Sequence, residues 1–146
     1  MNMTNAEYNQ YIQDKAPKSP LGADLIKAFV VGGLICCLGE GIGMLYKRFA
    51  GLDEKSAATA VSITLILLSA LLTGLNVYDK LGRFAGAGTL VPITGFANAV
   101  VSPALEFKTE GFILGTAVKM FTIAGPVITY GLAASVVYGI ILCLMG

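Results

Sequence analysis

The chain has 146 residues, of which 55% are hydrophobic and 13% charged, with a formal net charge of +1. A mean hydropathy of +0.76 leaves too little polar surface for a soluble domain of this size, so the sequence reads as an integral membrane protein. The near-neutral balance without a basic run excludes a nucleic-acid surface, and the absence of histidine excludes a mixed Cys and His zinc site and removes the usual general base, so no metal, cofactor or enzymatic chemistry is expected.

Residues 1–24 are polar, carry two prolines and contain no apolar core of signal-peptide length, which marks an exposed tail. Tyr8, Tyr11 and Ile12 suit either a short interfacial turn or a partly ordered tail. Lys15, Lys18 and Lys27 beside the first span place this end in the cytoplasm.

The membrane domain, 25–146, opens with Leu25 to Tyr46, a span with a single internal acid. Gly32, Cys36, Gly39 and Gly43 fall on one helical face, a small-residue stripe that lets another helix approach closely. Glu40 has two readings. A carboxylate inside a span suggests a pathway or a paired partner, while Lys47 and Arg48 two turns on suggest a salt bridge near the headgroups.

A charged loop follows, with Asp53 or Ser56 available to cap the next helix, Ala57 to Tyr78. In that second span Ser62, Ser69, Thr73 and Asn76 project within a narrow arc, a stripe that contacts protein or water rather than lipid.

From Leu81 to Leu105 the chain is apolar enough for a membrane but interrupted by Gly82, Gly86, Gly88, Gly95 and Pro92. Each glycine costs a helix interior up to about 1 kcal/mol and a mid-helix proline about 3, so a broken element is expected. Pro92 suits a helix start with Thr89 or a neighbour near the cap, and a run to Ser102 gives a half-helix of about 16 Å against a ~30 Å hydrocarbon core. Irregular backbone at membrane depth survives only against protein or a water-filled cavity, so this stretch is the leading candidate for a path-lining element.

Glu106, Lys108 and Glu110 form a charged turn outside hydrocarbon. The remaining stretch from Gly111 is about 54 Å long as a single helix, and Gly125 with Pro126 supplies a break into a segment, 111–124, and a last span, 126–145. Gly131, Ser135 and Gly139 repeat small residues at the spacing of close helix packing. Lys119 is a second intramembrane charge, read as snorkelling unless Glu40 is its partner. The expected fold is an all-α bundle of few helices containing a broken or re-entrant half-helix. If the broken element is re-entrant, six basic residues fall inside against three outside, which favours that topology.

The runs KAFVVGGLICCLGEG in the first span and LILLSALLTGLNVYDKLGRFAGAGTLVPITGFANAVVSPALEFKTEG in the middle resemble the SpoVA membrane proteins of endospore-forming bacteria. The similarity extends from Pro17 to the closing helices, and FAGAGTLVPITGFANA is its most specific segment. The resemblance implies a multi-pass subunit of a spore inner-membrane complex that moves dipicolinic acid, with calcium, into the forespore and releases it in germination. It implies lipid and other SpoVA-type membrane and soluble subunits as partners. Two hypotheses follow: a conducting subunit, or a non-conducting scaffold that assembles the complex. The path candidates are Glu40, Ser69, Thr73, Asn76, Pro92, Thr94, Gly95 and Asn98. The packing candidates are Gly32, Gly39, Gly43, Gly131, Ser135 and Gly139.

Overall fold

The computed structural model describes residues 4–15 and 20–145. Of the basic residues counted for topology, Lys18 lies outside them. The tail carries helix α1, Asn5–Lys15, which begins with a reciprocal cap. The Thr4 backbone N–H donates to Glu7 Oε2 at 2.8 Å and the Glu7 N–H donates to Thr4 Oγ1 at 3.4 Å, so two orphan donors of the first turn are met. The Thr4 N–H bond, together with the Thr4 hydroxyl donating to the same Oε2 at 2.9 Å, holds the Glu7 carboxyl below its ordinary range.

Helix α2, Leu21–Phe49, and helix α3, Glu54–Gly74, form an antiparallel hairpin around the loop 50–53. Asp53 starts α3 from an extended conformation and accepts from the Ser56 N–H, and the Ser56 hydroxyl and N–H together lower its carboxyl pKa. Two devices close the hairpin. Gly39 and Gly43 are buried against α3, where an added Cβ on Gly39 would stand 3.5 Å from Leu65 and one on Gly43 would stand 3.4 Å from Val61. The Tyr46 hydroxyl lies 2.8 Å from Thr64 Oγ1, a polar link across the same seam.

At the end of α3 the chain reverses through Asn76, whose φ of 57° makes it the left-handed residue of a C-terminal cap. The Val77 N–H donates to the Leu72 carbonyl at 2.9 Å and the Asn76 N–H to the Thr73 carbonyl at 3.0 Å, the two bonds of a Schellman cap. The stretch expected to be broken then forms helix α4, Tyr78–Ala85, the single turn α5, Ala87–Leu90, and helix α6, Ile93–Glu106. Gly86, at a φ of 51°, makes the first break, and Pro92 in an extended conformation immediately precedes α6. At 14 residues α6 is about 21 Å long, short of a ~30 Å core.

A 3-10 turn, Phe107–Glu110, and a π turn, Phe112–Ala117, lead into helix α7, Val118–Met145. The expected break at Gly125 and Pro126 does not occur, because α7 runs through Pro126. The irregularity sits earlier, where Gly111 takes a φ of 100° and Gly115 is buried so closely against the Phe107 carbonyl that a Cβ would overlap it. A proline is tolerated in a membrane helix where local adjustment and neighbours answer for the missing bond, so its presence alone does not end one.

Among the described residues three stretches are long and apolar enough to cross a membrane: α2, α3 and Phe112–Met145. Among the described residues the buried side chains are small or polar, led by Thr89, Ser69, Ala57, Tyr78 and Ala85, while most leucines, isoleucines and phenylalanines are exposed. Apolar side chains gain nothing by leaving lipid for protein, so helices in a membrane associate through small residues and hydrogen bonds.

Candidate functional site

The broken element is held by a polar cluster between α3, α4 and α6. Tyr78 begins α4 and is only 2% exposed, so its hydroxyl needs a protein partner. It finds two, the Thr89 carbonyl and Thr94 Oγ1, each at 2.8 Å. The buried Thr89 hydroxyl donates to the Gly86 carbonyl at 2.9 Å and closes the turn between α4 and α5. From α3, the Ser69 hydroxyl donates to the Thr94 carbonyl. One turn further, Thr73 Oγ1 shares its single proton between the Ser69 carbonyl at 2.7 Å and the Asn98 side-chain oxygen at 2.8 Å. Among the described residues no buried side-chain nitrogen or oxygen lacks a partner, so the cluster is a completed network.

The order of these contacts fixes a direction. Ser69 meets Thr94 and Thr73 meets Asn98, so α6 runs parallel to α3. Further along, Thr73, Asn76, Asp79, Ser102, Leu105 and Glu106 line one cleft of about 280 Å3, which brings the end of α6 beside the end of α3. The segment from Val77 to Glu106 therefore enters and leaves at the same end of the hairpin. Helix α7 then turns back along α6, with Thr116 Oγ1 3.5 Å from the Ala104 carbonyl.

Two glycines permit this geometry. Gly88 of α5 lies so close to α2 that a Cβ would overlap the Ala28 backbone, and a Cβ on Gly32 would stand 3.3 Å from the Gly88 carbonyl. Gly95, in the first turn of α6, is folded onto the Thr89 and Leu90 carbonyls with no room for a side chain. Pro92 precedes α6 without a side-chain cap; its carbonyl accepts from the Gly95 N–H at 2.8 Å, so within the first turn the Ile93 and Thr94 amides are the ones without a backbone partner from their own helix.

Of the candidate path residues, Ser69, Thr73, Pro92, Thr94, Gly95 and Asn98 come together here. Asn76 is adjacent but exposed, occupied as a backbone cap and part of the cleft wall. Glu40 is elsewhere, exposed on α2 at a cleft of about 290 Å3 with Lys47 and Glu54, and no ion pair joins it to Lys47 or Lys119 among the described residues. Lys119 instead places its ammonium 4.1 Å from the centre of the Phe107 ring. Of the packing candidates, Gly32, Gly39 and Gly43 serve contacts within the chain, whereas Gly131 and Gly139 have nothing within 4 Å and Ser135 is exposed, its hydroxyl bonded to the Gly131 carbonyl.

Sequence reasoning missed Tyr78, which it read as the end of a span. The only signal in the sequence was a tyrosine two residues after Asn76 at the end of an apolar run, an apolar ring with a polar tip that needs a partner when buried.

A family model described as SpoVAC/SpoVAEB sporulation membrane protein matches residues 24–141. Stage V sporulation protein AC of Bacillus subtilis (strain 168) is 48% identical over 141 residues, which is 95% of this chain and 94% of that protein. No solved structure matches the chain.

Proposed function

The chain belongs to the SpoVAC/SpoVAEB family of sporulation membrane proteins, and from that premise we propose that it is a transport subunit moving dipicolinic acid, with calcium, across the spore inner membrane during sporulation and germination. The observation that carries this reading is the parallel course of α3 and α6, which supports reading the segment between them as re-entrant, with a half-helix start that has no side-chain cap. Such broken helices line solute sites in membrane transporters because their first-turn amides carry partial positive charge. Dipicolinate is a dianion, and the amides at the start of α6 have the sign to receive it. Ser69, Tyr78, Thr89 and Thr94 hold the element from behind, and Asn98, only partly buried, is the member of the cluster open to a passing solute. Asn76 and the cleft wall near Glu106 form the mouth of the path on the side of the amino-terminal tail, and Glu40 lies on a separate face.

A second reading has its own observation. The face of α7 bearing Gly131, Ser135 and Gly139 is exposed and meets no partner among the described residues, which suits a scaffold that docks related membrane subunits without conducting. Purified protein in liposomes separates the two. Dipicolinate flux through this chain alone supports conduction, and flux seen only when other SpoVA-type membrane subunits are added, and unaffected by changes at Asn98, supports the scaffold.

A further inference from the structure

The start of α2 and the α4–α5 corner enclose a cleft of about 440 Å3 that takes no part in the Tyr78 network. Leu21, Leu25, Ala28, Phe84 and Ala87 give it apolar walls, and Leu21, Leu25 and Phe84 are exposed. Arg83 also lines it and makes no ion pair among the described residues. The acid of the cleft, Asp24, is 3.8 Å from Lys27, whose ammonium in turn lies 5.3 Å from the centre of the Phe84 ring.

Helix α4 explains how these groups meet. Tyr78 and Ala85 are buried against the protein, while Lys80, Arg83 and Phe84 face outwards. An apolar ring beside exposed basic groups on a short amphipathic helix is the arrangement of a membrane–water interface. Helix α2 starts at the same cleft after Pro20, and the positive end of its dipole adds to the charge of the Arg83 guanidinium.

We infer that this cleft holds the headgroup of an anionic phospholipid, its phosphate on Arg83 and its acyl chains along Leu25 and Phe84. A guanidinium matches phosphate in charge and fork geometry. A small free anion would use the cation and leave the apolar walls exposed. A lipid carries both halves of the match, and basic pockets between membrane helices bind such headgroups.

The test uses the full chain in vesicles of equal phosphatidylglycerol and phosphatidylcholine, extracted in mild detergent and weighed intact by native mass spectrometry. Phosphatidylglycerol should be retained over phosphatidylcholine by about fivefold, the worth of one basic residue near an anionic surface. Arg83→Gln should bring that ratio close to one and Arg83→Lys should keep part of it, while Lys55→Gln at the opposite end of the hairpin should leave it unchanged. Equal retention of the two lipids by the unaltered chain, or an unchanged ratio with Arg83→Gln, overturns the assignment. Displacement of bound phosphatidylglycerol by millimolar inorganic phosphate or dipicolinate also overturns it, because the cleft would then be a site for a free anion.

Discussion

The Tyr78 hydroxyl connects three segments at once, because the helix that carries it starts directly after the α3 cap and its two partners lie on α5 and α6. Tyr78→Phe should lower unfolding stability by about 1 kcal/mol, since hydrogen bonds between membrane helices average under 1 and rarely exceed about 2. Unfolding in mixed detergent measures it, and an unchanged midpoint would show that the bond is incidental. Asn98 differs because its amide is only partly enclosed. Asn98→Leu should reduce dipicolinate movement at normal protein abundance, and Asn98→Asp should reduce it too, because a fixed negative charge in a low-dielectric constriction repels a dianion. Calcium screens that repulsion, so flux is compared with and without it, and wild-type accumulation and release by both variants would make Asn98 a packing residue. Asp53 lies in the loop between the first two candidate spans, and its pKa is lowered by the Ser56 hydroxyl first and the Ser56 N–H second. A depressed carboxyl contributes stability above its unfolded value of about 3.9 and loses it as pH falls through the lower folded value. Hydrogen exchange at the first turn of α3 should therefore quicken below about pH 4, and Asp53→Asn, which keeps a cap without the charge, should remove that dependence.

At the scale of elements, Gly88 against Ala28 is the tightest approach between the broken segment and the hairpin, whereas Gly39 meets α3 at ordinary van der Waals distance. Gly88→Ala should thus destabilise by about 1–3 kcal/mol, the usual cost of forcing atoms into a packed interface, while Gly39→Ala costs less. Equal unfolding midpoints for the two variants would remove the distinction. The half-helix itself was legible, because Pro92 and its flanking glycines leave few ways to continue a helix, and so were α2 and α3 from their apolar length. The break at Pro126 was misjudged because a proline signal read alone takes no account of how neighbours in a membrane make up for one lost bond. Asn76 was assigned to a polar stripe because helical spacing carries past Gly74, where the helix has already ended, and its left-handed backbone depends on a cap whose partners, Leu72 and Thr73, become evident only when the chain turns. The α3–α6 pairing was beyond single-sequence reading: Ser69 and Thr73 announced a polar face, but nothing local named Thr94 and Asn98 as its complement.

For the whole molecule, the proposed reading takes the three candidate spans as crossings and the segment between the second and third as returning, which would put Lys80 and Lys108 on one side. After removal of Cys36, Cys37 and Cys143, single cysteines at Lys80 and Lys108 should react with a membrane-impermeant thiol reagent from the same side as one at Tyr8. Reaction of the Lys108 position from the opposite side would show that the broken element crosses. The contact between Gly88 and Ala28 also bears on the order in which the molecule is made. Each long helix can enter the bilayer on its own hydrophobicity, but α5 and α6 are too short to be retained that way and depend on surfaces already present, Ala28 and Gly32 on α2 and Ser69 and Thr73 on α3. The segment that defines the candidate path must then settle after α2 and α3, entering a cage built by helices that the ribosome delivered earlier. A nascent chain halted soon after Glu106 would still carry that segment unlatched, even with both walls of its cage in the membrane.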